Sequence, residues 1–160
     1  MNEISYIALG SNMANPLQQV TNAIEKIAAL PNTSVLARSS LYQTKPLDNM
    51  PQADYINAVI AVETQLSLPT LMTNLLEIEA LQGRVRNGLR NQSRPLDLDI
   101  LLYGDIVHQS ELVTVPHYAL KQRAFVLMPL HEIAPTLQLP DKMFVKDCLK
   151  NISLAGVIKL

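Results

Sequence analysis

The chain has 160 residues, 48% of them hydrophobic and 17% charged, without polar repeats, which excludes a disordered protein and suits one domain over residues 1–160. Thirteen Lys and Arg against fourteen Asp and Glu leave a net charge of -1, which argues against a broad nucleic-acid-binding surface. No apolar run is long enough for a bilayer, no export-signal pattern opens the chain, and the lone Cys148 has no partner for an internal bridge, so a cytoplasmic protein with no membrane attachment is expected.

Ile4 to Leu9 is apolar and β-branched and predicts a strand, with Gly10-Ser11-Asn12 read as the turn that ends it. A helix follows, capped by Asn15 and started by Pro16, with Leu17, Val20, Ile24 and Ile27 on its apolar face and Pro31 as its stop. Thr33 to Thr44 has strand character. From Thr44 to Asp54 the prolines and Asp48-Asn49 mark a long loop of a kind more often functional than idle.

Tyr55 to Gln65 predicts a strand with Ile56, Ala58, Ile60 and Val62 on one face and Tyr55, Asn57, Val59, Ala61 and Glu63 on the other. Pro69 opens a second helix, read through Leu71, Leu75, Ile78 and Val85 towards Gly88. Leu96 to Tyr103 is the next strand, closed by Gly104-Asp105. The order β-α-β-β-α-β predicts an α+β, ferredoxin-like core: an antiparallel sheet with helices on one face and the other face free for a site. Beyond it a C-terminal extension is expected, with short strands near Ile106–Val107 and Val113–Val115, short helices within Tyr118–Ile133, and a helix near Phe144–Asn151.

Asp97 and Asp99 carry the sharpest chemical signal. Two apart on a strand, they project to one face, about 7 Å apart at the backbone, while Leu96, Leu98 and Ile100 point into the core. Paired carboxylates repel unless a cation lies between them, and hard oxygen ligands suit Mg²⁺ completed by water and substrate phosphates. The plainer reading is a solvated strand face. Against it stands the charge distribution: between Glu79 and Asp97 there is no acid, but Arg84, Arg86, Arg90 and Arg94 all fall there. Guanidinium groups beside a metal site suit a nucleotide's phosphate chain, although Arg84 and Arg86 could equally serve a helix C-terminus. Pro116 to Arg123 adds His117, Tyr118, Lys121 and Arg123 as possible phosphate or sugar contacts, a weak signal alone. No glycine-rich phosphate loop is present.

The run Arg94-Pro95-Leu96-Asp97-Leu98-Asp99-Ile100-Leu101 resembles the signature of the 6-hydroxymethyl-7,8-dihydropterin pyrophosphokinases of folate biosynthesis. Further matches follow in chain order: Tyr6 to Asn12, Thr44 with Pro46-Leu47, Asp54 to Ala58, Gln82 to Arg86, and Val115 to Tyr118 with Arg123 and Phe125. The resemblance covers roughly residues 4 to 147. It implies transfer of pyrophosphate from ATP to the pterin's hydroxymethyl oxygen, with AMP leaving. It assigns Asp97 and Asp99 to two Mg²⁺ ions, and Arg84 and Arg94 to the transferring group. Glu79, Arg86, Arg90, Ile100, Thr114, His117, Tyr118, Lys121 and Arg123 match positions around ATP, and Thr44, Leu47, Tyr55, Asn57 and Phe125 match the pterin site. A monomer whose partners are ATP and 6-hydroxymethyl-7,8-dihydropterin is expected.

The match has departures. Asn87 replaces a basic residue, Asn91 an aromatic one, and Gln92-Ser93 the usual Gly-Pro, while Leu76 and Leu112 replace polar nucleotide contacts of some relatives. Two rivals stand beside this reading: an RNA-binding or regulatory module on the same fold, disfavoured by acids where stacked aromatics are needed, and another Mg²⁺-dependent phosphoryl or nucleotidyl transferase.

Overall fold

The computed structural model describes residues 2–45, 53–83 and 95–160. Strand β1 (Glu3–Ser11) leads to helix α1 (Pro16–Ala28), and strands β2 (Thr33–Arg38), β3 (Tyr42–Thr44) and β4 (Tyr55–Thr64) follow. Helix α2 (Leu68–Leu81) precedes strand β5 (Asp97–Tyr103). The C-terminal part holds strands β6 (His108–Gln109) and β7 (Thr114–Val115), a 3-10 turn at Leu120–Gln122, helices α3 (Ala124–Ile133) and α4 (Val145–Lys150), and strand β8 (Val157–Lys159).

The main sheet runs β5-β1-β4-β3-β8, with β2 also on β4, and its neighbouring strands are antiparallel. This is the predicted ferredoxin-like order with the C-terminal strand added at one edge. Helices α1 and α2 cover one face. Val20, Ala23, Ile24 and Ile27 of α1 and Leu71, Leu75 and Ile78 of α2 meet Ile7, Leu9, Ile60, Val62, Leu98 and Ile100 in the larger core. Each Val, Leu or Ile side chain among them contributes about 1.5–3 kcal/mol on burial, so β5 is held firmly from its helix side.

Several local expectations change. Leu17 lies outside the apolar face, at 48% exposure, and Asn15 takes a left-handed conformation at φ 62° without a capping side-chain bond. Gly10 belongs to β1, not to a turn. The predicted strand from Thr33 to Thr44 breaks in two at Ser40: Ser39 stays on β4, its N donating to Val59 O and its Oγ accepting from Val59 N, each at 2.9 Å, whereas Ser40 N and Oγ donate to Glu132. Helix α2 has Leu81 as its last residue, whereas Val85 and Gly88 lie outside the described residues. Ile106–Val107 is not a strand, and Phe144 precedes α4 instead of opening it. Strand β8, unforeseen in sequence, pairs with β3.

The second face of the sheet is only partly free, which corrects the expectation of an open face. Val126, Leu127 and Leu130 of α3, with Leu139, Val145 and Cys148, cover Val59, Leu101 and Leu102 in a second core. The pairing of β1 with β5 shifts register between Tyr6 and Ile7, opposite Leu102 and Ile100, so that Leu101 and Leu102 both join this second core while Tyr103 returns to the first. What stays open is the end of the sheet carrying Asp97 and Asp99.

Candidate active site

The uncovered end is built from strand register. Gly10 of β1 pairs with Asp97 of β5 on one side and with Asn57 of β4 on the other, and Asn57 pairs in turn with Tyr42 of β3. These four residues form one row across the sheet, with Asp97 and Asn57 about 10 Å apart at the backbone. One step along, Asp99 pairs with Ala8. Asp97 and Asp99 are half-buried while Leu98 between them is buried, as the two-residue period of a strand requires.

Glu79 of α2 reaches this strand from beneath. It is 1% exposed, and its Oε2 accepts from Leu98 N at 2.7 Å, so the amide between the two aspartates is held by a carboxylate on the opposite side of the sheet. Ile100, 2% exposed, packs in the helix-side core, so its side chain does not share the face of Asp97 and Asp99.

At the β3–β4 end, Asn57 is 8% and Thr44 5% exposed, and Asn57 Nδ2 donates to Thr44 Oγ1 at 3.0 Å. Tyr55 pairs with Thr44. Gly10 makes the space beside Asn57: a Cβ there would lie 3.0 Å from Asn57 Oδ1 and 3.9 Å from the Tyr55 ring. A glycine inside a β-branched run is the sequence sign of such close approach. Asn12, 2% exposed, donates from Nδ2 to Ala53 O at 3.2 Å and ties the end of β1 to the approach of β4, a role with no sequence signal.

The segment after β7 supplies the third wall. His117 N donates to Leu101 O at 2.9 Å, which fixes the residue against β5, and its Nε2 lies 3.7 Å from Asp99 Oδ1. Ala119 N donates to His117 Nδ1 at 3.1 Å, so Nε2 is the ring nitrogen that carries a proton towards the carboxylate. Tyr118, 74% exposed, stacks on His117 at 4.6 Å between ring centroids. The Arg123 guanidinium carbon stands 5.7 Å from the Tyr118 ring centroid and 5.7 Å from that of Phe125, bridging a residue expected near ATP and one expected near the acceptor. Lys121 pairs with Asp141, and that bond raises the Lys121 pKa. Thr114 is half-buried in β7. Leu47, Arg84, Arg86, Arg90 and Arg94, with Asn87 and Asn91, lie outside the described residues.

The fit of Mg²⁺ to this site rests on the donor set. Among the described residues no group of three or more His, Cys, Asp or Glu is placed to hold a metal. Two neighbouring carboxylates nevertheless fit Mg²⁺, which is commonly held by one or two carboxylates and completed by waters and substrate phosphates.

Residues 6–135 match the family model described as 7,8-dihydro-6-hydroxymethylpterin-pyrophosphokinase. The chain belongs to this family. It is 46% identical over 157 residues to the 2-amino-4-hydroxy-6-hydroxymethyldihydropteridine pyrophosphokinase of Haemophilus influenzae, covering 98% of this chain and 97% of that one. The Pseudomonas aeruginosa protein of the same name is 42% identical, with coverages of 97% and 95%. The fold is also that of a Plasmodium falciparum HPPK-DHPS crystallised with pterin and p-hydroxybenzoate, at a TM-score of 0.71 and 13% identity. That alignment covers 94% of this chain and 42% of the longer one. The pyrophosphokinase family therefore accounts for nearly the whole chain, through relatives of nearly the same length.

Proposed function

We propose that the uncovered end of the sheet is where this pyrophosphokinase of folate biosynthesis joins ATP to 6-hydroxymethyl-7,8-dihydropterin. The observation that carries this reading is the row Asp97, Gly10, Asn57, in which a carboxylate and an amide share one face across a residue with no side chain. In the reaction the pterin's hydroxymethyl oxygen bonds to the β-phosphorus of ATP. The bond from that phosphorus to the oxygen it shares with the α-phosphorus breaks, AMP leaves, and the hydroxyl proton is released.

Asp97 and Asp99 would hold two Mg²⁺ ions, which when bound would neutralise phosphate charge and align attacking and leaving oxygens. Glu79 keeps the amide between these residues fixed, a positioning role consistent with its burial. His117 and Tyr118 offer a stacked pair beside Asp99 for the nucleotide, with Thr114, Lys121 and Arg123 around it. Arg84 and Arg94 would stabilise the transferring group, with Arg86 and Arg90 alongside. Asn57, Thr44 and Tyr55, with Leu47 and Phe125, would receive the acceptor: an amide supplies donor and acceptor to a heterocycle's edge, and aromatic rings supply its faces.

A monomer acting as a single unit over residues 1–160, cytoplasmic and without nucleic-acid or membrane partners, completes the proposal. In support, no helix among the described residues is long and apolar enough to cross a membrane. The test is to incubate the pure protein with ATP, Mg²⁺ and the hydroxymethylpterin and to resolve the nucleotides. AMP formed one-for-one with a diphosphorylated pterin is expected, whereas ADP formation would overturn the reading.

A further inference from the structure

Strand β3 carries Thr44, assigned above to the acceptor, and has only three residues, Tyr42–Thr44. So short a strand makes few ladder bonds, and its position depends on what anchors it from other directions. Strand β4 flanks one edge and β8 the other. From the second face, Glu132 of α3 reaches the start of β3. Ser40 N lies 3.1 Å from both of its carboxylate oxygens, Ser40 Oγ donates to Oε2 at 2.8 Å, and the Tyr42 hydroxyl donates to Oε1 at 2.6 Å. Lys159 Nζ of β8 stands 3.9 Å from Oε2. The carboxylate thus joins α3, β8 and the lead-in to β3. Tyr42, 3% exposed, is the register partner of Asn57, and Thr44, two residues on, accepts the Asn57 amide.

We propose that Glu132 is a positioning residue for the acceptor pocket, holding Ser40 and Tyr42 so that Thr44 meets Asn57 in the geometry that receives the pterin. Glu132 does not touch substrate. It acts through β3, and charge-assisted bonds of this kind are the shorter and stronger class. The proposal rests on the assignment of Asn57 and Thr44 to the acceptor.

The experiment compares Glu132→Ala, Glu132→Gln, Tyr42→Phe and Asn57→Ala with the wild-type enzyme. It measures KM for the hydroxymethylpterin, Kd for a non-hydrolysable ATP analogue, kcat, and thermal melting. Glu132→Ala is expected to raise the pterin KM about tenfold and Tyr42→Phe roughly threefold, with Glu132→Gln between them because its amide oxygen still accepts from Tyr42. ATP-analogue affinity and kcat should stay within about twofold of wild type, a split that a loss of folded protein alone does not produce. If the Glu132 and Tyr42 variants weaken both ligands equally, or leave the pterin KM unchanged while Asn57→Ala raises it, Glu132 only supports the fold and the proposal is overturned. If Asn57→Ala also leaves the pterin KM unchanged, the acceptor assignment has failed and the proposal falls with it.

Discussion

Asn57 and Thr44 meet diagonally across the β3–β4 ladder, the Asn57 amide giving a 3.0 Å bond to Thr44 Oγ1 from an almost fully buried position. In this arrangement Nδ2 is spent on Thr44 and Oδ1 is turned towards Gly10. A ligand's ring edge at this end of the sheet therefore meets an oriented amide. Asn57→Ala removes it and leaves buried ligand atoms without a partner, a loss of roughly 1–3 kcal/mol. Pterin affinity should fall by that amount in calorimetric titration and ATP-analogue affinity by much less. Equal losses would assign Asn57 to folding.

Asp97 and Asp99 project from a strand whose other side is locked by Leu96, Leu98 and Ile100, each no more than 2% exposed. Replacing either carboxylate should leave this packing alone. Asp97→Asn and Asp99→Asn are expected to lower kcat by on the order of 100-fold or more, with melting temperatures within about 2 °C of wild type. Near-normal turnover of both variants at limiting Mg²⁺ would remove these residues from the metal site.

The contrast between these residues and their surroundings shows what periodicity can reveal. The carboxylate row was readable because strand alternation maps sequence spacing directly onto a face, and β5 obeys it until the register shift beside Leu101. The division of Thr33–Thr44 was not readable. It depends on Glu132, more than ninety residues away in sequence, taking the polar groups of Ser40. The same distance hid β8, whose exposed Ile158 gives no core pattern, and the covering of the second face by α3. Gly10 carried a signal, but turn chemistry at Ser11-Asn12 drew the strand's end too early.

Glu132 also predicts an acid dependence. Burial pushes its pKa up, but the bonds from Tyr42 and Ser40 and the Lys159 charge outweigh this and leave it below the ordinary value. A carboxyl with a depressed folded-state pKa contributes stability that is present above its unfolded pKa and is lost as pH falls through the folded one. Lowering the pH from about 5 to 3 should therefore cost the wild type more melting temperature than it costs Glu132→Gln, which has no proton to take up. Parallel acid profiles would show that the carboxylate's bonds make no difference to folding.

Gly10→Ala tests the row from its centre, and here two effects oppose each other. Glycine within a strand costs roughly 0.5–1 kcal/mol of stability relative to alanine, so the backbone of β1 gains from the change. The new Cβ, however, would stand 3.0 Å from Asn57 Oδ1, closer than side chains normally tolerate, with Ile56 O and the Tyr55 ring each 3.9 Å away. The Asn57 amide is the group able to yield, and turning it sacrifices the bond to Thr44, whose net worth is about 1 kcal/mol or roughly fivefold in affinity. The fold should therefore persist, with melting within about 2 °C of wild type, while the pterin KM rises about fivefold and ATP-analogue affinity changes less. Thermal melting and steady-state kinetics on the same preparation measure both sides of this balance. A variant that melts normally and binds pterin as tightly as wild type would show that the side-chain-free floor beside Asn57 is spare room, and that the acceptor lies elsewhere on the sheet.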